Sequence, residues 1–98
     1  MKLVKIEKAN DGVHKFKAIF DNDGRSKTTK FGAIGYTDYT LTGGTREDKE
    51  KRSHYRERHQ KDLKGDPTRA GYLSRYVLWG DSVNMATNIS AYKKMFSL

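Results

Sequence analysis

A run of cations in residues 51–61 carries the clearest chemical signal in the sequence. Its five basic side chains are interrupted by a single acid, Glu57: they are Lys51, Arg52, Arg56, Arg58 and Lys61. Ammonium and guanidinium groups bind phosphate oxygens, and Arg is preferred where two oxygens must be held together. If roughly four to six phosphates are neutralised, affinity for nucleic acid should fall with salt at a logarithmic slope of about −4 to −5.

On a helix these cations form two stripes, because residues three or four apart are neighbours. Arg52 and Arg56 share the first stripe with His59. Lys51, Tyr55 and Arg58 form the adjacent stripe. An alternative is a solvated helix with internal ion pairs worth a few tenths of a kcal/mol each, since Glu47, Asp48 and Glu50 lie one turn before Lys51, Arg52 and His54.

A second basic patch is predicted on the strands of the first third. Lys15 and Lys17 alternate with Phe16 and share one strand face, and Lys27 could project from the following strand. Such a face can hold a nucleic-acid backbone. Exposed strand lysines are also a common protection against edge-to-edge aggregation, so both interpretations stay open.

Catalytic and metal-binding patterns are sparse. His54 and His59 are five residues apart, which places them on different helix faces and argues against joint metal binding. Asp21 and Asp23 could together hold a divalent ion, but Gly24 beside them indicates that they belong to a turn. The Gly-rich segment at residues 32–37 lacks the Lys-Ser/Thr ending of a phosphate-binding P-loop. We therefore expect no enzyme activity, no cofactor and no metal.

Arg75 and Trp79 stand in an apolar segment near the chain's end. We expect the Arg75 guanidinium to pair with Asp66 or Asp81 or to stack on an aromatic ring. Trp79 either closes the core or anchors a partner, with core closure favoured.

Length and composition bound these possibilities. With 98 residues, 33% of them charged and 35% hydrophobic, the chain can build one small domain with a lean core. It has no Cys, so packing or a partner must stabilise the fold. The sequence predicts neither a signal peptide nor a membrane-spanning segment. The net charge of +8 favours a polyanionic partner.

The elements that must position the cations follow from hydrophobic periodicity. Turn signals in residues 10–12 and 21–24 predict a strand meander over residues 1–32, followed by a Gly-rich loop over 33–44 and a helical part over 45–98. Thr45 is the expected N-cap of a first helix ending near His59. A second helix should end at Gly80 and a third begin at Ser82. We predict an α+β fold: an antiparallel sheet of about three strands covered by two or three C-terminal helices.

Three blocks carry a resemblance to a known family. They are residues 30–40 (KFGAIGYTDYT), a charged segment with Arg52, Tyr55, Arg58 and His59, and residues 70–79 (AGYLSRYVLW). In this order they resemble small uncharacterised proteins encoded by large nucleocytoplasmic DNA viruses, the giant viruses. The resemblance implies a viral origin, synthesis in the host cytoplasm or viral factory, and a place in the virion.

The leading hypothesis is a non-enzymatic, virion-associated protein that binds nucleic acid, DNA in preference to RNA, through backbone electrostatics. The alternative is a minor capsid or cement protein whose charges contact acidic capsid surfaces or an internal membrane. Self-association is compatible with both, because a lean core gains stability from a bound partner. A small hydrolase is a third possibility, and it would require acids and His gathered in one cleft.

Overall fold

A computed structural model describes residues 1–98 and shows a three-stranded antiparallel sheet followed by helices. The strands are β1 (Lys2–Lys8), β2 (His14–Asn22) and β3 (Arg25–Ala33), and they lie in the order β1-β2-β3. The predicted meander and the α+β class are confirmed.

The turn between β2 and β3 sets the register of the sheet. Asp23 and Gly24 both have positive φ angles, 51° and 84°, which suit the two central residues of a tight hairpin turn. Counting outward from this turn pairs Lys17 with Lys30 and Phe20 with Lys27. Cross-strand partners share a face, so Lys27 lies beside buried Phe20 and not on the Lys15 and Lys17 face. The shared basic face expected for these three lysines is therefore wrong.

A register shift in β1 brings two apolar residues to the same face. The pairing changes between Leu3 and Lys5, so that Leu3 lies opposite Phe20 and Ile6 opposite Ala18. In a regular strand, residues three apart point to opposite faces. The extra residue of this bulge lets Leu3 and Ile6 point to the same face. Leu3 is thereby buried, and Ile6 packs against the core.

The helical part contains three helices joined by short turns. These are α1 (Arg46–Arg58), α2 (Ala70–Leu73), which continues without a break into a π-helical segment (Ser74–Leu78), and α3 (Met85–Phe96). Two 3-10 turns, Tyr39–Leu41 and Gln60–Asp62, complete the chain. The loop expected over 33–44 thus contains the last residue of β3 and a 3-10 turn. No helix has the length and apolar character needed to cross a bilayer.

The third helix begins later than predicted. Asn84, not Ser82, is its N-cap, and its side chain accepts a hydrogen bond from the Thr87 N–H. Ser82 instead accepts from the Asn84 N–H and shapes the turn that precedes the cap. Ser and Asn are similarly good caps, so spacing alone could not separate them.

The core lies between the inner face of the sheet and the helices. Its buried members are Leu3, Ala18, Phe20, Phe31, Leu73, Val77, Leu78 and Tyr92. Edge-to-face contacts of Phe96 with Tyr72, Tyr76 and Tyr92 extend this cluster along α3. None of these core residues belongs to α1, so other contacts must hold that helix.

Candidate nucleic-acid interface

The first helix begins after Thr45, its predicted N-cap, which forms a capping box with Asp48. The Thr45 hydroxyl accepts from the Asp48 N–H at 3.2 Å, and the Asp48 carboxylate accepts from the Thr45 N–H at 2.9 Å. The hydrogen bonds from Thr45 lower the pKa of the Asp48 carboxyl. Arg46–Glu50 is the only ion pair within α1. The cations of residues 51–58 are therefore not neutralised by the acids of their own helix.

The stripe that contains Arg52 and Arg56 faces the loop of residues 79–81, which we call the junction loop. Arg56 donates to the Trp79 carbonyl through Nε at 3.1 Å and Nη2 at 2.9 Å, and Nη2 also reaches Asp81 Oδ1 at 2.9 Å. Arg52 donates to the Asp81 carbonyl at 3.1 Å. The last carbonyls of a helix lack partners within it and carry partial negative charge. The Arg56 guanidinium thus caps the end of the π-helical segment, and the Arg52 guanidinium binds the junction loop that follows it.

These contacts change the interpretation of the predicted stripe. The Arg52 guanidinium also lies 4.6 Å from the ring centre of buried Tyr39. Its partner Arg56 has a side chain only 23% exposed, and its hydrogen bond lowers the pKa of the Asp81 carboxyl. Arg52 and Arg56 hold α1 on the body of the protein, and these contacts occupy the guanidinium groups that were predicted to bind phosphate.

Replacing Arg56 by Ala should weaken this junction. The Trp79 carbonyl would lose both of its guanidinium donors, and hydrogen bonds to charged groups contribute about 1.5–3 kcal/mol. We expect a loss of that size in the free energy of unfolding, measured by urea denaturation, with a change in the fluorescence of Trp79. Arg46→Ala is the control, because its side chain is 94% exposed and should leave stability unchanged. Equal stabilities of the two variants would contradict the capping role.

An aromatic stack supports the same docking. Tyr55 stacks on Trp79 with 4.5 Å between ring centres and on His59 with 4.3 Å. Burial raises the pKa of the Tyr55 hydroxyl. Trp79 packs against the core, as expected, and also forms the contact between α1 and the π-helical segment.

The second stripe of α1 faces an open groove with a volume of about 1000 Å³. Lys51, Tyr55 and Arg58 lie along one side of it together with two histidines, His54 and His59. Both Lys51 and Arg58 are exposed and take part in no ion pair. Two of the predicted phosphate-binding cations are thus free and adjacent in one concave surface.

The opposite side of the groove is formed by β2, β3 and the loop after them. Lys30 lies there and is exposed, with Asp11 at 3.4 Å. His14 Nδ1 is 2.8 Å from the Asp11 carboxylate, and the backbone N–H and side chain of His14 lower the pKa of that carboxyl. This wall therefore adds one exposed cation and one oriented imidazole.

Lys15 contributes to the groove in a different way. Its ammonium donates to Asp38 at 2.6 Å, and the Asp38 side chain is only 1% exposed. Asp38 is also the only carboxylate among the residues that line the groove. Lys15 neutralises it, and of the remaining lining cations Lys30 has an acid close by, Asp11, whereas Lys51 and Arg58 have no ion-pair partner.

The floor of the groove comes from the helix that runs from α2 into the π-helical segment. Ala70, Ser74, Leu78 and Trp79 line it. The Trp79 N–H bonds to the Ser74 carbonyl at 3.0 Å, five residues back. Such π turns are rare and frequently occur at functional sites. Nowhere in the chain do three or more His, Asp or Glu side chains converge on a possible metal position.

Comparison with known protein families identifies the family of this chain. The profile of a family of unknown function covers residues 4–59, which is more than half of the chain. The chain belongs to this family, DUF5754. No curated protein and no solved structure matches the chain. The DUF5754 region extends from β1 to the end of α1, and so it includes both walls of the groove but not its floor.

The other cations predicted to bind phosphate lie outside the groove, both inside the DUF5754 region and after it. Lys17 is 3.5 Å from Glu7 on the open face of the sheet. Lys27 donates to the Thr68 hydroxyl at 2.7 Å. Lys61 is exposed in the 3-10 turn after α1 and does not line the groove. Of the eight predicted residues, Lys15, Lys51 and Arg58 are brought together.

Sequence reasoning missed two groove residues, Lys30 and Tyr36. The signal for Lys30 is the register set by the Asp23-Gly24 turn, which puts Lys30 on the sheet face that also carries Lys15. Tyr36 lies outside regular structure, and no periodic signal marks it. The expected stacking of Arg75 is confirmed, since its guanidinium lies 4.5 Å from the ring centre of Tyr76.

Proposed function

We propose that this protein binds nucleic acid, without enzymatic activity, and that the groove is the binding surface. The supporting observation is the charge of its lining: Lys15, Lys30, Lys51 and Arg58 against Asp38 alone. A phosphate backbone laid between α1 and the sheet would meet cations from both sides. Histidines on both walls would add charge when protonated.

We further propose that the protein is viral and acts in the virion, with DNA as the preferred partner. This part rests on the sequence resemblance to small giant-virus proteins. A virion protein made in the host cytoplasm or viral factory would meet viral nucleic acid there, and a basic groove suits binding to its phosphates.

Removing the two free α1 cations is the direct test. In the double variant Lys51→Ala/Arg58→Ala, we expect affinity for an oligonucleotide to fall by about tenfold or more. The logarithmic salt slope on a single-stranded oligonucleotide should be about −2 for the native protein, since Lys30, Lys51 and Arg58 can contact phosphates while Lys15 is held by Asp38, and it should be shallower by about 1.5 in the variant. Fluorescence anisotropy at several salt concentrations measures both.

The matched control is Lys49→Ala/Lys61→Ala. It removes the same charge from the same part of the chain, but neither side chain lines the groove. This control should bind with nearly native affinity. Equal losses in the two double variants would show that net charge, not the groove, governs binding, and a flat salt titration would reject the proposal.

A second candidate function is protein contact in a capsid shell. Four apolar side chains are exposed beside the groove: Val13, Ile34, Tyr36 and Leu41. Ile34, Tyr36 and Leu41 also line an adjoining hollow of about 600 Å³. Exposed apolar patches commonly mark interaction surfaces. Recovery of the protein in the shell fraction of purified particles would favour this role, and recovery with the genome would favour the first.

A further inference from the structure

Tyr36 is the most exposed large hydrophobic residue of the protein. Its surface is 74% accessible, and its ring stacks on no other ring. The turn that presents it is well defined: Gly35 has a φ of +90°, and the Tyr36 N–H bonds to the Ala33 carbonyl at 3.3 Å. Most of the ring is therefore open to solvent, at the place where it lines the groove.

Aromatic surface is also present on the other wall. His59 ends the stack of Trp79, Tyr55 and His59, and its Nδ1 lies 2.7 Å from the Asp62 carboxylate, which orients the ring. The side chain of His59 is 43% exposed. A flat ligand group entering the groove would find ring faces on both sides.

The cations are spaced around these rings. Lys30 shares a wall with Tyr36, and Lys51 and Arg58 share a wall with His59. A basic channel combined with accessible aromatic faces is the arrangement with which proteins bind single strands, because phosphates follow the charge and bases stack on the rings.

Double-stranded nucleic acid fits this surface poorly. Proteins that read a duplex usually insert a protruding helix or ribbon into a groove of the nucleic acid. The outward face of α1 is mixed in charge, with Arg46 and Lys49 among Glu47, Glu50 and Glu57. The surface on which Lys51 and Arg58 lie free of ion pairs is instead concave, and its volume of about 1000 Å³ is that of a large ligand pocket.

We infer that the groove takes a single-stranded nucleic acid and that a base stacks on Tyr36. This inference rests on the proposed function, since it names the form of nucleic acid that the same groove binds. Stacking is tolerant of sequence because every base has a flat face, so little sequence preference is expected. Trp79 is the only Trp of the chain and lines the groove, so it reports on occupancy.

The test compares three ligands of equal phosphate number: a single-stranded oligonucleotide, a duplex and inorganic polyphosphate. Binding is followed by competition in fluorescence anisotropy and by the emission of Trp79. We expect the single strand to bind about tenfold more tightly than the duplex. Tyr36→Ala should weaken single-strand binding by about fivefold to a hundredfold, leave polyphosphate binding unchanged and spare the fold, whereas Tyr36→Phe should retain affinity.

The control variant is Met95→Ala, which shortens another exposed apolar side chain, on α3 and outside the groove. If duplex and single strand bind equally, or if Tyr36→Ala binds the single strand as well as Met95→Ala does, the single-strand inference is overturned while backbone binding stands. If the native protein binds none of the three ligands, the proposed function itself is overturned.

Discussion

Replacing Asp38 by Asn should lower the free energy of unfolding by about 3–5 kcal/mol, the usual cost of removing one partner from a buried ion pair. The Asp38 side chain is 1% exposed and that of Lys15 is 14% exposed, with 2.6 Å between Oδ2 and Nζ. Asp38 Oδ1 also accepts from the Thr40 N–H at 2.9 Å and so caps the 3-10 turn. Asn keeps the shape of the side chain, so the loss of stability would measure the effect of leaving the Lys15 ammonium without its negative partner.

Urea denaturation followed by circular dichroism measures this effect. Asp23→Asn is the matched control, because Asp23 is an exposed turn residue with positive φ, a conformation that Asn also tolerates. The double variant Lys15→Met/Asp38→Asn should regain part of the loss, since no buried charge then lacks a partner. A single Asp38→Asn variant as stable as its control would show that water screens this pair more than its burial indicates.

The architecture of the first third was predictable because its signals are local. A turn of Asp23 and Gly24 with positive φ angles needs no tertiary contact, and it sets which β2 and β3 residues face each other. The same turn places Lys27 opposite Phe20, so the register alone puts Lys27 on the inner face of the sheet and away from Lys15 and Lys17. The shift near Val4 left no comparable signal, because nothing in residues 3–6 marks an extra residue.

The stripes of α1 were predictable, but their roles were not. Spacing places Arg52 with Arg56 and Lys51 with Arg58, and both pairs have the same chemistry. The two pairs differ in role only because the fold places the carbonyl of Trp79, a residue distant in sequence, beside Arg56. The composition of a helix therefore predicted that cations would gather, whereas tertiary packing decided which of them remain free to bind.

The junction loop depends on Gly80, and Gly80→Ala should lower the free energy of unfolding by about 2–4 kcal/mol through overpacking and lost hydrogen bonds. A Cβ at this position would lie 2.5 Å from the Tyr76 carbonyl oxygen and 2.5 Å from Asn88 Cγ. Neither neighbour can yield easily. The carbonyl belongs to the helical backbone, and Asn88 is 3% exposed.

Asn88 is fixed by three hydrogen bonds. Its Nδ2 donates to the carbonyls of Val77 at 2.9 Å and Ser82 at 2.7 Å, and its Oδ1 accepts from the Ser82 N–H at 3.0 Å. Displacing the amide to admit a methyl group would leave these buried backbone groups without partners, at a cost of about 1–3 kcal/mol. The junction loop would have to move instead, together with the carbonyls that Arg52 and Arg56 contact.

Gly43→Ala is the control for this variant, because no atom lies within 4 Å of the position its Cβ would take and its φ is not positive. It should unfold like the native protein in urea. Gly80→Ala should also alter Trp79 emission and weaken oligonucleotide binding before global unfolding, because the wall formed by α1 is held to the floor through residues 79–81. Native affinity in a clearly destabilised Gly80→Ala variant would mean that the groove keeps its shape without the arginine caps, and α1 would then be held chiefly by the stack of Tyr55 on Trp79.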